Sequence, residues 1–292
     1  MGASTVALGG NMAGSTEFEK NRFETILVDA PAAGVCRITL NRPEKRNAIS
    51  TQLRSELLSV LEQNDKNPDV KVSIIRGSGP CFSAGYDLGG DLMAEPPFHT
   101  APGDGEWSRH VTSNWFAFWD LAKPVIAQVH GYAIAGATEL AQACDLVYIA
   151  SDARVGYPIV RVASPPDWQY HMPLLGMRRA MEIMLTGDDL TASEAVMIGW
   201  ANREFAADEL DDEVLYIAER IAAVASDLAQ INKRLVHRQA EIMGVRSAIR
   251  AGSEFQALAG HQRSVESFKA DPLGTMKKHN AADAERRAAR GK

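Results

Sequence analysis

Short apolar segments alternate with longer amphipathic segments in the first half of the chain, and this alternation limits the possible folds most. Val125–Val129 and Leu146–Ala150 are short, mostly apolar runs of the kind found in buried strands. Residues 51–63 have the spacing of an amphipathic helix, and Ser50 before them is a suitable helix N-cap. The same reasoning predicts strands over 34–40 and 72–76, a helix over 107–121, a loop over 87–106 and a helix around Glu139. Strands that alternate with helices favour an α/β fold of stacked βα or ββα units over a sandwich.

The composition divides the chain into three parts. Residues 1–20 are rich in Gly, Ala, Ser and Thr and are predicted to be a disordered leader. Residues 21–205 form the predicted α/β core, and residues 206–292 form a predicted C-terminal helical region. From about Met172 onward we expect only helices. The candidates are 190–198, 208–223, 228–243 and 250–268, followed by a charged helix or tail over 277–292.

The bulk composition excludes several classes of protein. The 292 residues are 46% hydrophobic, which is enough for a large core. A net charge of −6 argues against a general nucleic-acid binder, and no apolar run is long enough for a membrane span. The first residues do not resemble a secretory signal, and Cys36, Cys81 and Cys144 show no metal-binding spacing. We therefore expect a cytoplasmic protein without a bound metal.

Glu139 is the strongest candidate for a catalytic residue. It follows a turn of small residues that includes Gly136, and a helix is predicted to begin there. A carboxylate in the first turn of a helix, beside a glycine that allows close backbone approach, suits proton transfer on a bound ligand.

Four segments, in this order, resemble those of the crotonase superfamily, the enoyl-CoA hydratase/isomerase group. They are Asn41-Arg42-Pro43-Glu44-Lys45-Arg46-Asn47-Ala48; Phe82-Ser83-Ala84-Gly85-Tyr86-Asp87-Leu88; Lys123-Pro124-Val125-Ile126-Ala127 leading to Glu139; and Leu185-Thr186-Gly187 with Ala192-Ser193-Glu194-Ala195 and Gly199-Trp200-Ala201-Asn202. The similarity covers about residues 23–268. It implies a spiral of ββα units with a C-terminal helical trimerisation region. It also implies a homotrimer or hexamer, and an acyl-CoA thioester substrate. Coenzyme A would be part of that substrate, and no separate cofactor is expected.

The resemblance also assigns an oxyanion hole and a coenzyme A site. The backbone N–H groups of Tyr86 and Gly136 would hold the thioester oxygen, where negative charge develops during the reaction. The coenzyme A chain would pass two of the four segments, at Lys45, Arg46, Ala48, Ala84, Asp87 and Leu88. Lys45 and Arg46 could contact its phosphates. Relatives often have a lysine where this chain has Gly89 and Gly90, so the phosphate contact must be weaker or come from elsewhere.

The second glutamate of the family's hydratases is missing. It would stand at Ile159, directly after Pro158, and an isoleucine cannot transfer a proton. Asp167 is the candidate replacement, because some isomerases and dehalogenases of the family have an aspartate at that position. A cap of the helix predicted to start near Tyr170 is an equally good interpretation of Asp167.

Three functions remain open from the sequence. The first is an enzyme of hydratase or isomerase type that stabilises a thioester enolate, with Glu139 as the acid/base and Asp167 assisting. The second is a hydrolase or dehalogenase-like enzyme that uses Asp167. The third is a non-catalytic acyl-CoA-binding protein. Retention of Glu139 and of both oxyanion segments favours the first.

Overall fold

Nine strands form two sheets in the computed structural model, which describes residues 23–89 and 100–289. The strands are β1 (Ile26–Ala32), β2 (Val35–Leu40), β3 (Val72–Gly77), β4 (Val125–Val129), β5 (Tyr132–Ile134), β6 (Leu146–Ala150), β7 (Arg154–Gly156), β8 (Leu190–Thr191) and β9 (Arg203–Phe205). The main sheet has the order β1-β2-β3-β4-β6-β9, and the small sheet has the order β5-β7-β8. In the main sheet only the β1–β2 pair is antiparallel. The α/β class is therefore confirmed.

Eleven α-helices lie within the described residues. They are α1 (Thr51–Lys66), α2 (Glu106–Asp120), α3 (Gly136–Ala143), α4 (His171–Leu175), α5 (Met177–Thr186), α6 (Ala192–Met197), α7 (Leu210–Ala222), α8 (Ser226–Ile242), α9 (Val245–Ala259), α10 (Glu266–Ala270) and α11 (Pro272–Ala288). In the same part of the chain, 3₁₀ turns lie at Pro43–Lys45, Pro158–Arg161 and Arg263–Val265. The predicted cap of α1 is confirmed, because the Ser50 hydroxyl accepts a hydrogen bond from the Leu53 N–H at 3.1 Å.

The core lies around the parallel strands β2, β3, β4 and β6. Every residue of β4 is buried, as are most residues of β2, β3 and β6. Near-continuous burial is typical of parallel strands that are covered on both faces. Helix α1 packs against β1 and β2, α3 packs against β4, β5 and β6, and α7 packs across β1 to β4 and β6. This packing fixes the first turn of α3, and with it Glu139, at the centre of the molecule.

The expectation of helices alone after about Met172 is wrong. Strand β8 joins the small sheet and β9 closes the edge of the main sheet beside β6. The helix predicted over 190–198 therefore begins with two strand residues, and the helix predicted over 250–268 is divided into α9, a 3₁₀ turn and α10. Segments of two or three residues are too short for their periodicity to be recognised. The predicted leader over 1–20 and half of the predicted loop over 87–106, residues 90–99, lie outside the described residues.

The C-terminal helices expose large apolar side chains. On α8, Leu228, Ile231, Leu235 and Val236 are 55–63% exposed, and on α9 Phe255 is 62% exposed. An apolar surface of this size usually packs against another protein surface. The trimer or hexamer stays a prediction. No helix within the described residues has the length and apolar character needed to cross a membrane.

Candidate active site

A single buried asparagine joins the two segments predicted to bind coenzyme A. The Asn47 side chain donates to the carbonyl oxygens of Ser78 at 2.8 Å and Cys81 at 2.9 Å. The Ser83 hydroxyl donates back to the Asn47 carbonyl at 2.7 Å. Asn47 has a left-handed φ of 51°, which asparagine tolerates better than most residues. Sequence reasoning treated Asn47 only as part of a motif and missed this role.

The residues predicted to contact coenzyme A lie around the hydrogen bonds of Asn47. Lys45 and Arg46 are exposed, whereas Ala48, Ala84 and Leu88 are half-buried. The Asp87 carboxylate forms an ion pair with Arg42 at 2.8 Å. That ion pair engages the Asp87 side chain, so coenzyme A contact here would use backbone atoms.

The two predicted oxyanion residues come together at a close approach of the backbone. Gly85 has a φ of +94°, and a Cβ at this position would lie 2.7 Å from the Ile134 carbonyl oxygen and 3.1 Å from the Gly136 nitrogen. Only glycine fits there. Within the described residues, the N–H groups of Tyr86 and Gly136 donate no hydrogen bond. Both donors are therefore available to a ligand oxygen.

Ala135 turns the chain into α3 at the cost of backbone strain. Its φ of 54° and ψ of −127° are unusual for a residue with a Cβ. Its N–H donates to the Gly156 carbonyl at 2.9 Å, which ties α3 to β7. Strained residues of this kind often occur at functional sites, where neighbouring contacts hold them.

The Glu139 carboxyl group accepts four hydrogen bonds and is fully buried. The Tyr157 hydroxyl donates to Oε1 at 3.1 Å, and the Asp167 N–H donates to the same oxygen at 3.2 Å. The Tyr86 hydroxyl donates to Oε2 at 2.8 Å, and the Trp168 N–H donates to it at 3.2 Å. Each oxygen therefore has one phenol and one backbone donor.

Burial raises the pKa of Glu139 from its ordinary value of 4.5 to about 8, and the nearby negative charge of Asp167 contributes to the rise. Hydrogen bonds from Tyr86, Tyr157 and Trp168 oppose it. A carboxyl group that titrates near neutral pH can both take up and release a proton.

Tyr86 reaches from the oxyanion segment across Gly136 to Glu139. A Cβ on Gly136 would lie 2.5 Å from the Tyr86 ring, so only glycine leaves room for that ring. The Trp115 indole N–H donates to the Tyr86 hydroxyl at 2.9 Å, and the Trp107 ring meets the Tyr86 ring edge-to-face at 5.5 Å. The sequence motif indicated a role only for the backbone of Tyr86, and the contacts of its side chain were not predicted.

Tyr157, two residues before Ile159, contacts Glu139. The 3₁₀ turn Pro158–Arg161 leaves Ile159 half-buried, whereas Tyr157 is buried and bonded to Glu139. The side chain two positions before Ile159 therefore contacts Glu139. The position of Tyr157 directly before Pro158 was the one sequence signal that could have indicated this contact with Glu139.

Asp167 is not a helix cap. Helix α4 begins at His171, its N-cap is Tyr170, and no side chain caps it. Asp167 is only 4% exposed, and its backbone N–H is one of the donors to Glu139. Burial raises the pKa of Asp167 from 3.8 to about 6, and Ser108, Trp107 and the charge of Arg54 limit the rise. The charge of Asp167 in turn helps to raise the pKa of Glu139.

Comparison with known proteins supports a common ancestry over most of the chain. Residues 31–271 match the model of the enoyl-CoA hydratase/isomerase family. A probable enoyl-CoA hydratase of Mycobacterium tuberculosis is 34% identical over 226 residues, which is 75% of this chain and 83% of the relative. A mevalonyl-coenzyme A hydratase of Aspergillus fumigatus is 33% identical over 229 residues, 76% of this chain and 82% of the relative.

Solved structures agree with this relationship. An enoyl-CoA hydratase/isomerase from Xanthobacter autotrophicus Py2 has a TM-score of 0.78 at 32% identity, covering 91% of this chain and 98% of the other. A monofunctional enoyl-CoA isomerase from Mycobacterium smegmatis has a TM-score of 0.61 at 28% identity, covering 74% of this chain and 94% of the other. The chain is therefore an enzyme of the enoyl-CoA hydratase/isomerase family, the crotonase superfamily.

Proposed function

We propose that the enzyme moves a carbon–carbon double bond within an enoyl-CoA thioester, with Glu139 as the acid/base. The observation that carries this proposal is the position of Glu139. Burial raises its pKa to about 8, and its carboxyl group accepts a hydrogen bond from Tyr86, whose backbone N–H, like that of Gly136, has no partner within the described residues. Such a site suits removal of a proton from the carbon next to a thioester.

The reaction needs one proton to leave one carbon and return to another. A 3-enoyl thioester loses a proton from C2, and the electrons of that bond delocalise onto the thioester oxygen. The N–H groups of Tyr86 and Gly136 stabilise the resulting enolate, each by about 3 kcal/mol. The proton then returns at C4 and the double bond forms between C2 and C3. No water enters, and one carboxyl group is sufficient.

The surroundings of Glu139 favour isomerisation over hydration. Hydration needs a group that activates water in addition to the acid that protonates C2. Ile159 cannot supply that group, and the Tyr157 hydroxyl beside it already donates to Glu139. In isomerisation these features are no obstacle, since the same proton is removed and returned.

Hydration is the second candidate, and Asp167 is the observation that favours it. Its Oδ1 atom is buried and has no hydrogen-bond partner within the described part of the chain. An ionised carboxylate with a vacant acceptor could hold a water molecule. In isomerisation Asp167 has a different role, because its negative charge keeps the pKa of Glu139 high.

The coenzyme A part of the substrate would bind along the two segments that the hydrogen bonds of Asn47 join. The exposed Lys45 and Arg46 provide positive charge there for its phosphates. We expect no cofactor beyond the coenzyme A of the substrate.

The test is a comparison of 3-pentenoyl-CoA with crotonyl-CoA, followed by mass spectrometry and by the absorbance of the conjugated thioester. Isomerisation gives conjugation at constant mass, and hydration adds the mass of one water. The matched control is Glu139→Gln, which preserves the shape of the side chain but cannot carry the proton. Release of free coenzyme A by the wild type, or equal activity of the Gln variant, would contradict the proposal.

A further inference from the structure

The four hydrogen bonds to Glu139 leave it no vacant acceptor position. A carboxylate offers about four lone-pair sites, and two phenols and two backbone N–H groups occupy them. The side chain is also fully buried. A substrate carbon can therefore exchange a proton with Glu139 only if one partner moves away or if one partner carries the proton.

Tyr86 is the partner nearest to a bound thioester. Tyr157, Asp167 and Trp168 are at most 4% exposed, whereas Tyr86 is half-buried. Its backbone N–H is one of the two proposed oxyanion donors, and its ring lies over Gly136, the residue that supplies the other. Tyr86 therefore joins the proposed oxyanion donors, through its backbone and its ring, to the Glu139 carboxyl group, through its hydroxyl.

We propose that Tyr86 is a catalytic residue whose hydroxyl relays the proton between the acyl chain and Glu139. This inference rests on the proposed function, and it adds a second group to the proton transfer. The Trp115 N–H holds the Tyr86 oxygen throughout and occupies one of its two lone pairs. The second lone pair is left for the proton that comes from the substrate.

Atoms and charges balance in this relay. The bond between C2 and its hydrogen breaks, and the proton passes to the Tyr86 oxygen as the phenol's own proton passes to Glu139 Oε2. The electron pair of the broken bond goes to the thioester oxygen. In the return step Glu139 gives its proton to the Tyr86 oxygen, and the phenol proton goes to C4. Glu139 and Tyr86 end in their starting states, and no other reactant is consumed.

The relay must be concerted, because Tyr86 cannot hold a negative charge. Burial raises the pKa of Tyr86 well above its ordinary value, and the charges of Glu139 and Asp167 raise it further. The titratable groups around the hydroxyl are thus Glu139, Asp167 and, on the other oxygen of Glu139, Tyr157. A phenol that gives and receives a proton at the same moment avoids the tyrosinate state.

Tyr86→Phe tests the relay, and Tyr157→Phe is its matched control. Both variants remove one phenol donor from Glu139, but only Tyr86 adjoins the oxyanion donors. The measurement is exchange of the C2 hydrogens of butyryl-CoA in D₂O, followed by mass spectrometry from about pH 6 to about pH 10. Each lost donor raises the pKa of Glu139, so both variants are expected to be slower near neutral pH.

The two variants should differ at high pH, where Glu139 is ionised in both. We expect Tyr157→Phe to recover there to within about threefold of the wild type. We expect Tyr86→Phe to stay at least about 100-fold slower in kcat, with little change in KM, because general acid–base groups typically contribute about 10²–10⁴ in rate. If Tyr86→Phe does not fold, fluorotyrosine at position 86 provides the test, since a relay predicts a rate that changes with phenol acidity.

Three other outcomes have distinct meanings. Recovery of both Phe variants at high pH would mean that the phenols only tune Glu139, and it would overturn the relay. Faster exchange in Tyr86→Phe or Tyr86→Ala would mean that the ring is a gate, and it would also overturn the relay. Absence of exchange in the wild type would overturn the proposed function itself, and the relay with it.

Discussion

Asp167→Asn is the substitution that best tests the electrostatics of the site. Asn is nearly isosteric with Asp and preserves the backbone N–H that donates to Glu139 Oε1. It removes a negative charge that contributes to the raised pKa of Glu139. We therefore expect the pKa of Glu139 to fall from its wild-type value of about 8. Burial still acts on Glu139 in the variant, so the pKa stays above 4.5.

The magnitude follows from the interaction of two buried charges. Two unit charges a few ångströms apart interact by about 4 kcal/mol at an effective dielectric constant of about 20. Neighbouring charges shift a carboxyl pKa by about 1–3 units, and each unit is about 1.4 kcal/mol. Relaxation of the protein around the substituted side chain reduces the effect, so we expect a shift of about 1–2 units in the pKa of Glu139.

The assay is kcat/KM for isomerisation of 3-pentenoyl-CoA as a function of pH. The base form of Glu139 is needed in free enzyme, so the wild-type rate rises as pH increases through about 8. In Asp167→Asn the rise should occur about 1–2 pH units lower. The plateau should fall less than about tenfold, because a weaker base is only moderately less effective. An unshifted midpoint would refute the electrostatic reasoning, and a plateau at least about 100-fold lower would show that Asp167 itself transfers a proton.

The remaining predictions concern stability, the lost carboxylate, ligand binding and assembly. The folded state holds a proton on Glu139 that the unfolded state releases, so the wild type should lose stability between about pH 5 and 9, whereas Glu139→Gln should not. Thermal unfolding across this range checks this prediction, and equal losses in both proteins would argue against the raised pKa of Glu139. Ile159→Glu should hydrate crotonyl-CoA faster than the wild type, measured by the loss of conjugated absorbance. An unchanged rate would mean that a carboxylate at this position does not decide between isomerisation and hydration. Joint replacement of Lys45 and Arg46 by Ala should weaken butyryl-CoA binding at least about tenfold in calorimetry, whereas unchanged affinity would place the phosphates elsewhere. Light scattering should show a trimer or hexamer, and Leu235→Glu on the exposed face of α8 should dissociate it; a monomeric wild type would contradict this.

The sequence predicted the central strands well because they are buried on both sides. Val125–Val129 and Leu146–Ala150 match β4 and β6 residue for residue, and the Ser50 cap is confirmed. The strands that were missed depend on tertiary pairing. Strand β1 contains Asp29 and Pro31, which are rare in strands, but it lies at the edge of the sheet, where they are tolerated.

Motif spacing located the residues of the candidate site but did not describe their contacts. Convergence of Gly85 with Gly136 follows from motifs that are about fifty residues apart, and the structure shows it. The contacts of Tyr86 and Tyr157 with Glu139 depend on side-chain directions that spacing does not specify. The cap interpretation of Asp167 was wrong because the N-cap of α4 is Tyr170, three residues after Asp167, and no side chain caps this helix.

Ile159 and Asp167 together determine how many carboxyl groups the site contains. If a glutamate at the half-buried position 159 reached Glu139, as the resemblance to hydratases implies, the site would hold three carboxyl groups with Asp167, and mutual repulsion would keep at least one of them protonated. With Ile159, the carboxylate of Asp167 is the single negative charge that remains beside Glu139, and it lies near α2 and Arg54. The apolar side chain therefore preserves a pair of carboxyl groups with different acidities, about 6 and about 8. When the environments of two carboxyl groups separate their pKa values in this way, one group stays ionised and the other transfers the proton. In the proposed mechanism Asp167 keeps its negative charge and Glu139 carries the proton. For this reason Ile159→Glu should hydrate crotonyl-CoA faster when it is combined with Asp167→Asn than when it stands alone.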